Sequence, residues 1–241
     1  MKFNFTGLSD PGMVRKSNQD SFFLDPEGNF FLVADGMGGH AGGEEASRLA
    51  TEVIQKHFRE RWRSWADSET LLTEAVQKAN EAIIQDQEAY PERADMGTTL
   101  VVALFHNGKY WLTHIGDSRI YRLREESLEQ LTEDDTWVAR AMKVGDLTQA
   151  EARTHPWRHI LSKCLGRKDL APVTVQQIDL QPGDRLLLCS DGLTEELDPE
   201  SIQSYLKPPA PCPESAEALV NAAKEHGGRD NITVVIIEAA S

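Results

Sequence analysis

Four strand-length, mostly apolar runs in this chain begin or stop at an aspartate. Asp35 follows Phe30-Phe31-Leu32-Val33-Ala34, Asp117 follows Trp111–Gly116, Asp191 follows Leu186-Leu187-Leu188-Cys189-Ser190, and Asp230 immediately precedes Ile232–Ile237. Runs of this length and character belong to buried strands. Sheets packed face to face bring strand ends from distant parts of a chain to one edge, so these carboxylates are expected to converge. Such a cluster repels itself, and buried charge persists only when it is paired or binds metal. The pattern predicts a layered sheet protein with a cation site at its rim.

The other elements fit that expectation. The opening MKFNFTGLSD reads as a first strand. Asp25-Pro26-Glu27-Gly28 joins strands at Asp20–Leu24 and Asn29–Ala34, and Asn107-Gly108 joins Thr98–Phe105 to Lys109–Ile115, both as antiparallel hairpins. Between the hairpins two helices are expected, about Glu44–Trp65 and Glu69–Ala89. In the second, Leu72, Ala75, Val76, Ala79, Ala82 and Ile83 share one apolar face. Trp62 and Trp65 read as packing residues. A polar, mostly helical insert over Thr136–Leu165 precedes strands near Val173–Leu180 and Arg185–Cys189, a helix near Glu214–His226 and a last strand at Ile232–Glu238. The Pro-rich stretch Pro208–Pro213 reads as a loop between two helices. Strands gathered into sheets, with paired helices and no strict βαβ alternation, predict an α+β layered sandwich. With no internal repeat and no low-complexity linker, residues 1–241 are expected to form a single domain.

The chain is 40% hydrophobic and 27% charged, with a formal net charge of −14. No apolar run approaches the roughly 20 residues needed to cross a bilayer, and the N-terminus lacks a signal-peptide core, so no membrane partner is expected and the location is read as cytoplasmic. Cys164, Cys189 and Cys212 are odd in number and scattered, which suits a reducing compartment. The acidity and the absence of a basic stripe argue against a nucleic-acid partner. A monomer is the expected state.

An all-oxygen ligand set, without thiolates or a histidine cluster, selects hard cations such as Mg²⁺ or Mn²⁺ over zinc. Asp35-Gly36 and Asp191-Gly192 put a glycine beside an aspartate, and close backbone approach there lets a carbonyl such as that of Gly36 become a ligand. One Asp-Gly pair is an ordinary turn; four aspartates at strand ends are a stronger pattern. No Asp-x-Asp-x-Asp-Gly calcium loop occurs, and the Gly-rich run Asp35–Glu44 lacks the Gly-Lys-Ser/Thr ending of a nucleotide loop. No cysteine has an arginine six residues later, so the Cys-x₅-Arg phosphatase signature is absent.

Six segments taken together resemble the PPM family, the metal-dependent type 2C Ser/Thr protein phosphatases. They are Arg15–Asp20, Val33–His40, Met96–Thr99, Ile115–Arg119, Leu188–Leu193 and Gly227–Thr233, in the family's order and across nearly the whole chain. The resemblance is to bacterial members, cyanobacterial ones in particular, one of which acts on the PII nitrogen-signalling protein. It implies a central antiparallel β-sandwich flanked by helix pairs in four αββα layers, with two metal ions in a channel at its edge. Asp35 is then expected to bridge both ions, the Gly36 carbonyl to bind one, Asp191 and Asp230 to complete the direct ligands, and Asp20 to act through water. Asp117, aided by Asp191, resembles the residue that holds a third ion. Gln19 departs from the family pattern, where Glu is common.

The implied reaction is hydrolysis of phosphoserine and phosphothreonine in proteins, in bacterial signalling, by a hydroxide shared between Mg²⁺ or Mn²⁺ ions. Arg15 is the expected phosphate-binding residue, since a guanidinium matches phosphate oxygens bidentately. His40 has two open roles, as proton donor to the leaving oxygen or as a support behind the ligands. The insert Thr136–Leu165 resembles the flap that borders the site in bacterial members; its His155, Trp157, Arg158 and His159 are candidates for contacting the phosphoprotein substrate. Thr98 and Thr99 read as structural. Competing readings are a non-catalytic binding module on the same fold and a two-metal phosphodiesterase.

Overall fold

The computed structural model describes residues 1–39, 42–62 and 67–240; His40 and Trp65 lie outside them. Two five-strand paths of antiparallel pairs make up its sheets. The first runs β1 (Lys2–Asp10), β11 (Ile232–Ala240), β10 (Arg185–Cys189), β7 (Arg119–Arg124), β8 (Ser127–Gln130). The second runs β2 (Asp20–Leu24), β3 (Phe30–Met37), β5 (Leu100–His106), β6 (Lys109–Ile115), β9 (Val175–Ile178), with β4 (Gly97–Thr98) pairing the end of β3.

β3 shows why its sequence is apolar without alternation. Phe30, Leu32 and Ala34 face a helix pair, α1 (Gly42–Arg61) and α2 (Ser68–Ala89), and pack with Ile54, Phe58, Leu71 and Ile83. Phe31 and Val33 point the other way, into the seam between the sheets, against Leu186, Leu188 and Val235. On the far side of the first sheet, Leu187, Cys189, Val234 and Ile236 pack against α6 (Pro199–Leu206) and α7 (Cys212–Glu225). The layers are thus helices, sheet, sheet, helices. A strand buried on both faces reads as a continuous apolar run, and each fully buried Leu or Phe contributes about 1.5–3 kcal/mol.

Both expected hairpins form, with Leu24 opposite Phe31 and His106 opposite Lys109. Asn107 and Gly108 take positive φ values of 53° and 72°, the geometry of the two-residue turn that Asn-Gly favours. Trp62 sits just past α1, against His106 and Phe30. No helix among the described residues is long and apolar enough to cross a membrane.

The insert departs from its expected mostly helical character. Only α3 (Trp137–Lys143) and α4 (Gln149–Thr154) are helical there, and turns and extended backbone fill the rest. Gly145 at φ 85° stops α3, while Pro156 forbids continuation of α4 past His155. Between them, Thr148 and Glu151 form a reciprocal capping box that starts α4.

Candidate metal centre

Strand pairing sets the first two carboxylates side by side, because β2 and β3 register Asp20 opposite Asp35. Asp35 is fixed through its peptide groups: its N–H donates to Thr99 Oγ1 (3.0 Å), and its carbonyl accepts from the Thr99 N–H and Thr98 Oγ1, both at 2.8 Å. Thr98 and Thr99 therefore have a structural role under the site. Asp20 Oδ2 accepts from Ser190 Oγ (2.7 Å) and Thr233 Oγ1 (2.6 Å), tying β2 to the end of β10 and the start of β11 across the two sheets. The residue after Ser190 is Asp191, first in the short helix α5 (Asp191–Thr194).

Asn231 clamps the remaining loop. Its Nδ2 donates to the Pro11 and Ser17 carbonyls (3.1 and 2.9 Å), and its Oδ1 accepts the Gln19 N–H (2.8 Å). The segment carrying Arg15 is thereby pinned against Asp230. The Gln19 carbonyl accepts from the Gly36 N–H (3.1 Å) and Ser47 Oγ (2.6 Å), so Gln19 supports the site through its peptide group. A Cβ on Gly36 would stand 2.0 Å from the Gly43 carbonyl oxygen, so only glycine lets the start of α1 approach the strand this closely.

The carboxylates act on one another. Burial, then the charges of Asp20, Asp191, Asp117 and Asp230, hold Asp35 well above the ordinary aspartate range. Burial likewise pushes Asp20 up to about 6, against hydrogen bonds from Thr233 and Ser190, and pushes Asp191 up to about 7 with help from the charges of Glu195 and Asp230. Asp117, between β6 and β7, is raised by burial, Asp191 and Asp134. Five carboxylates from five separate stretches of chain thus meet at one end of the sandwich.

Two oxygens in this group, Asp20 Oδ1 and Asp191 Oδ1, are buried without a hydrogen-bond partner among the described residues. A buried carboxylate oxygen left unpaired demands an ion or a water. Orphaned oxygens, mutual repulsion and an all-oxygen donor set together fit hard divalent cations such as Mg²⁺ and Mn²⁺.

Arg15 Nη2 lies 2.6 Å from Asp230 Oδ2, with the guanidinium half-exposed. His159 reaches over from the insert: its Nδ1 is 2.5 Å from Glu195 Oε1, and His159, Asp191 and Glu195 each offer a ligand atom within 4.8 Å of the others. Burial lowers the His159 imidazole below its ordinary range, and burial likewise raises the Glu195 carboxyl. His155 is placed elsewhere, stacked on Trp137 (5.0 Å, 26°) and edge-on to Trp157. Glu195, Ser190, Thr233 and Asn231 are site residues that the strand-end pattern does not single out. Ser190, Asn231 and Thr233 lie within the segments that carry the family resemblance, while Glu195 has a local signal in its i, i+4 spacing from Asp191 on one helical face.

The sequence profile described as Protein phosphatase 2C matches residues 14–225. The serine/threonine protein phosphatase PstP of Mycobacterium tuberculosis is 39% identical over 234 residues, 97% of this chain, although the chain spans only 44% of that relative's length. The serine/threonine phosphatase stp of Listeria monocytogenes is 34% identical over 235 residues, covering 95% of this chain and 93% of the relative. Among solved structures, the M. tuberculosis PstP/Ppp phosphatase superposes with a TM-score of 0.92 at 38% identity over 99% of both chains. The catalytic domain of a PstP in complex with two manganese ions superposes at 0.89, with 36% identity and 99% coverage of each chain. By sequence and by fold, this chain belongs to the protein phosphatase 2C family.

Proposed function

We propose that this chain is a divalent-cation-dependent protein phosphatase that hydrolyses phosphoserine and phosphothreonine in bacterial signalling. The observation that carries the reading is the convergence of Asp20, Asp35, Asp117, Asp191 and Asp230, with two buried carboxylate oxygens that have no hydrogen-bond partner among the described residues. In it, Asp35, Asp191, Asp230 and the Gly36 carbonyl hold two Mg²⁺ or Mn²⁺ ions, Asp20 helps through water, and Asp117 with Asp191 holds a third. Bound there, the cations supply charge for the phosphoryl oxygens and lower the pKa of water. The bond broken is the phosphorus–oxygen ester bond, and the products are inorganic phosphate and the free hydroxyl side chain.

Arg15 exchanges its Asp230 oxygen for phosphate oxygens, a bidentate match to guanidinium. Ser190 and Thr233 hold Asp20 in one orientation by donating to the same oxygen, which leaves its other oxygen for the site. His159 meets the protein substrate beside Asp191, and His155 with its two tryptophans forms the outer part of that contact. His40 is the candidate proton donor to the leaving oxygen. The substrate is a phosphoprotein met in the cytoplasm by a monomeric, single-domain enzyme, and three buried, unpaired cysteines suit that compartment.

The test is hydrolysis of a phosphopeptide, p-nitrophenyl phosphate and phospho-PII with Mn²⁺, with EDTA, and with Asp191→Asn. Mn²⁺-dependent turnover that both EDTA and the substitution abolish is expected. Turnover that survives both treatments refutes the two-metal reading, and an unchanged phospho-PII sample removes that substrate.

A further inference from the structure

The flap, Thr136–Leu165, is joined to the aspartate cluster through one residue that the site does not otherwise use. Asp135 immediately precedes it, and all of its polar groups are engaged. Its N–H donates to the Gly116 carbonyl (2.8 Å), while its Oδ2 accepts from the Gly116 N–H (3.3 Å), so both peptide groups of the residue before Asp117 rest on Asp135. Its carbonyl accepts the Ser162 N–H (2.7 Å), and its Oδ1 takes Lys163 Nζ (2.5 Å), both from the returning limb of the flap. From that junction the two limbs pair onward, Thr136 with Leu161 and the Trp137 N–H with the Ile160 carbonyl (2.8 Å). On the opposite side of the turn, Ser118 Oγ bonds Thr99 Oγ1 (2.7 Å), and Thr99 holds the Asp35 peptide.

We propose that Asp135 is a positioning residue that seats the flap and the Asp117 turn as one unit, so that the seating of the flap sets how Asp117 is presented to a cation. The inference rests on the metal-dependent reading above. Its geometry is a continuous hydrogen-bonded path, Lys163 and Ser162 to Asp135, to Gly116–Ser118, to Thr99, to Asp35. The Asp135 side chain is only 13% exposed, while Lys163 is half-exposed, so the carboxylate is held mainly by the buried turn and Lys163 closes it from the solvent side. A second anchor is independent of it: Leu165 and Thr98 exchange backbone hydrogen bonds at 2.9 and 3.3 Å, so the flap exit stays attached when Asp135 changes.

Lys163→Met is the informative variant, because Lys163 reaches Asp135 but neither Gly116 nor Asp117 is among its bonded partners. Hydrogen–deuterium exchange on the metal-free protein and calorimetric titration with Mn²⁺ read the two ends of the path. Asp135→Ala is expected to raise exchange in both 116–119 and 160–163, and to weaken the weakest class of Mn²⁺ sites by about tenfold, the scale on which residues supporting a ligand act. Lys163→Met is expected to move both readouts the same way by less, and to have no further effect on Mn²⁺ binding in an Asp117→Asn background. Wild-type exchange at 116–119 and wild-type Mn²⁺ affinity in Lys163→Met overturn the proposal, as does an undiminished effect in the Asp117→Asn background. Should the wild type fail on every phosphate ester, the phosphatase reading falls while the titration and exchange arms still decide the coupling. Should no Mn²⁺ bind, exchange at 116–119 decides alone.

Discussion

Asp20 divides its two oxygens between opposite tasks. One takes two hydroxyls, from Ser190 just past β10 and from Thr233 in β11, and the other has no hydrogen-bond partner among the described residues. That division is invisible at the level of residue type, since any aspartate at a strand start looks the same in sequence. Asp35, Asp117, Asp191 and Asp230 were legible because each bounds an apolar run. The task of Ser190 and Thr233 was not, because a hydroxyl just past a strand end or inside a strand carries no sign of what it will meet across a sheet interface. At this scale Arg15 makes a sharp case: its pair with Asp230 is short but half-exposed, so the pair itself adds little stability. Arg15→Ala is expected to lower kcat/KM roughly ten- to a hundred-fold, from the 1.5–3 kcal/mol of a hydrogen bond to a charged group. Mn²⁺ affinity should hold or rise, because the guanidinium no longer competes for Asp230. Kinetics beside a Mn²⁺ titration check this, and a variant that loses Mn²⁺ affinity instead contradicts the competition.

Elements with strong local chemistry formed where the sequence put them: the Asn107-Gly108 hairpin, Arg185–Cys189 as β10, and α2, whose start is capped by Asp67 accepting from the Glu69 and Thr70 N–H groups. β7 and β8 gave no such sign. Their turn uses Glu125 at φ 53° in place of glycine or asparagine, and the arginines of β7 look like surface residues until Arg124 meets the buried Asp184. α5 is another tertiary product, a single turn lodged against the loop before β11. A Cβ on Gly192 would stand 2.0 Å from the Asn231 carbonyl oxygen, backbone that has no room to yield. Gly192→Ala is therefore expected to cost about 1–3 kcal/mol by overpacking and to separate Asp191 from Asp230. Thermal melts with and without Mn²⁺ check it; a wild-type melting temperature together with a wild-type Mn²⁺ response contradicts it.

For the whole molecule, the aspartate cluster links stability to pH and to metal. Asp20 at about 6 and Asp191 at about 7 stand above the ordinary 3.8, so across that interval the folded, metal-free chain binds more protons than the unfolded one. Stability of the metal-free protein then falls as pH rises from about 5 through 7, and Asp35 and Asp117, raised in the same direction, add to the fall. Cations relieve the repulsion and bind only the folded site, so the melting temperature in EDTA should drop between about pH 5 and 7 while that in Mn²⁺ does not. A melting temperature in EDTA that holds or climbs over that interval refutes the linkage. The sequence by itself determined the layered α+β class, the hairpins and the aspartates at strand ends, because apolar runs, turn residues and helical periodicity are local properties. Only the tertiary structure decided that β2 would reach β10 and β11 through Asp20, that the insert would be mostly turns, and that Asp135 would join the flap to the Asp117 turn. Those contacts join residues far apart in the chain, and their partners are chosen by the packing of one sheet on another, which no single stretch of sequence encodes.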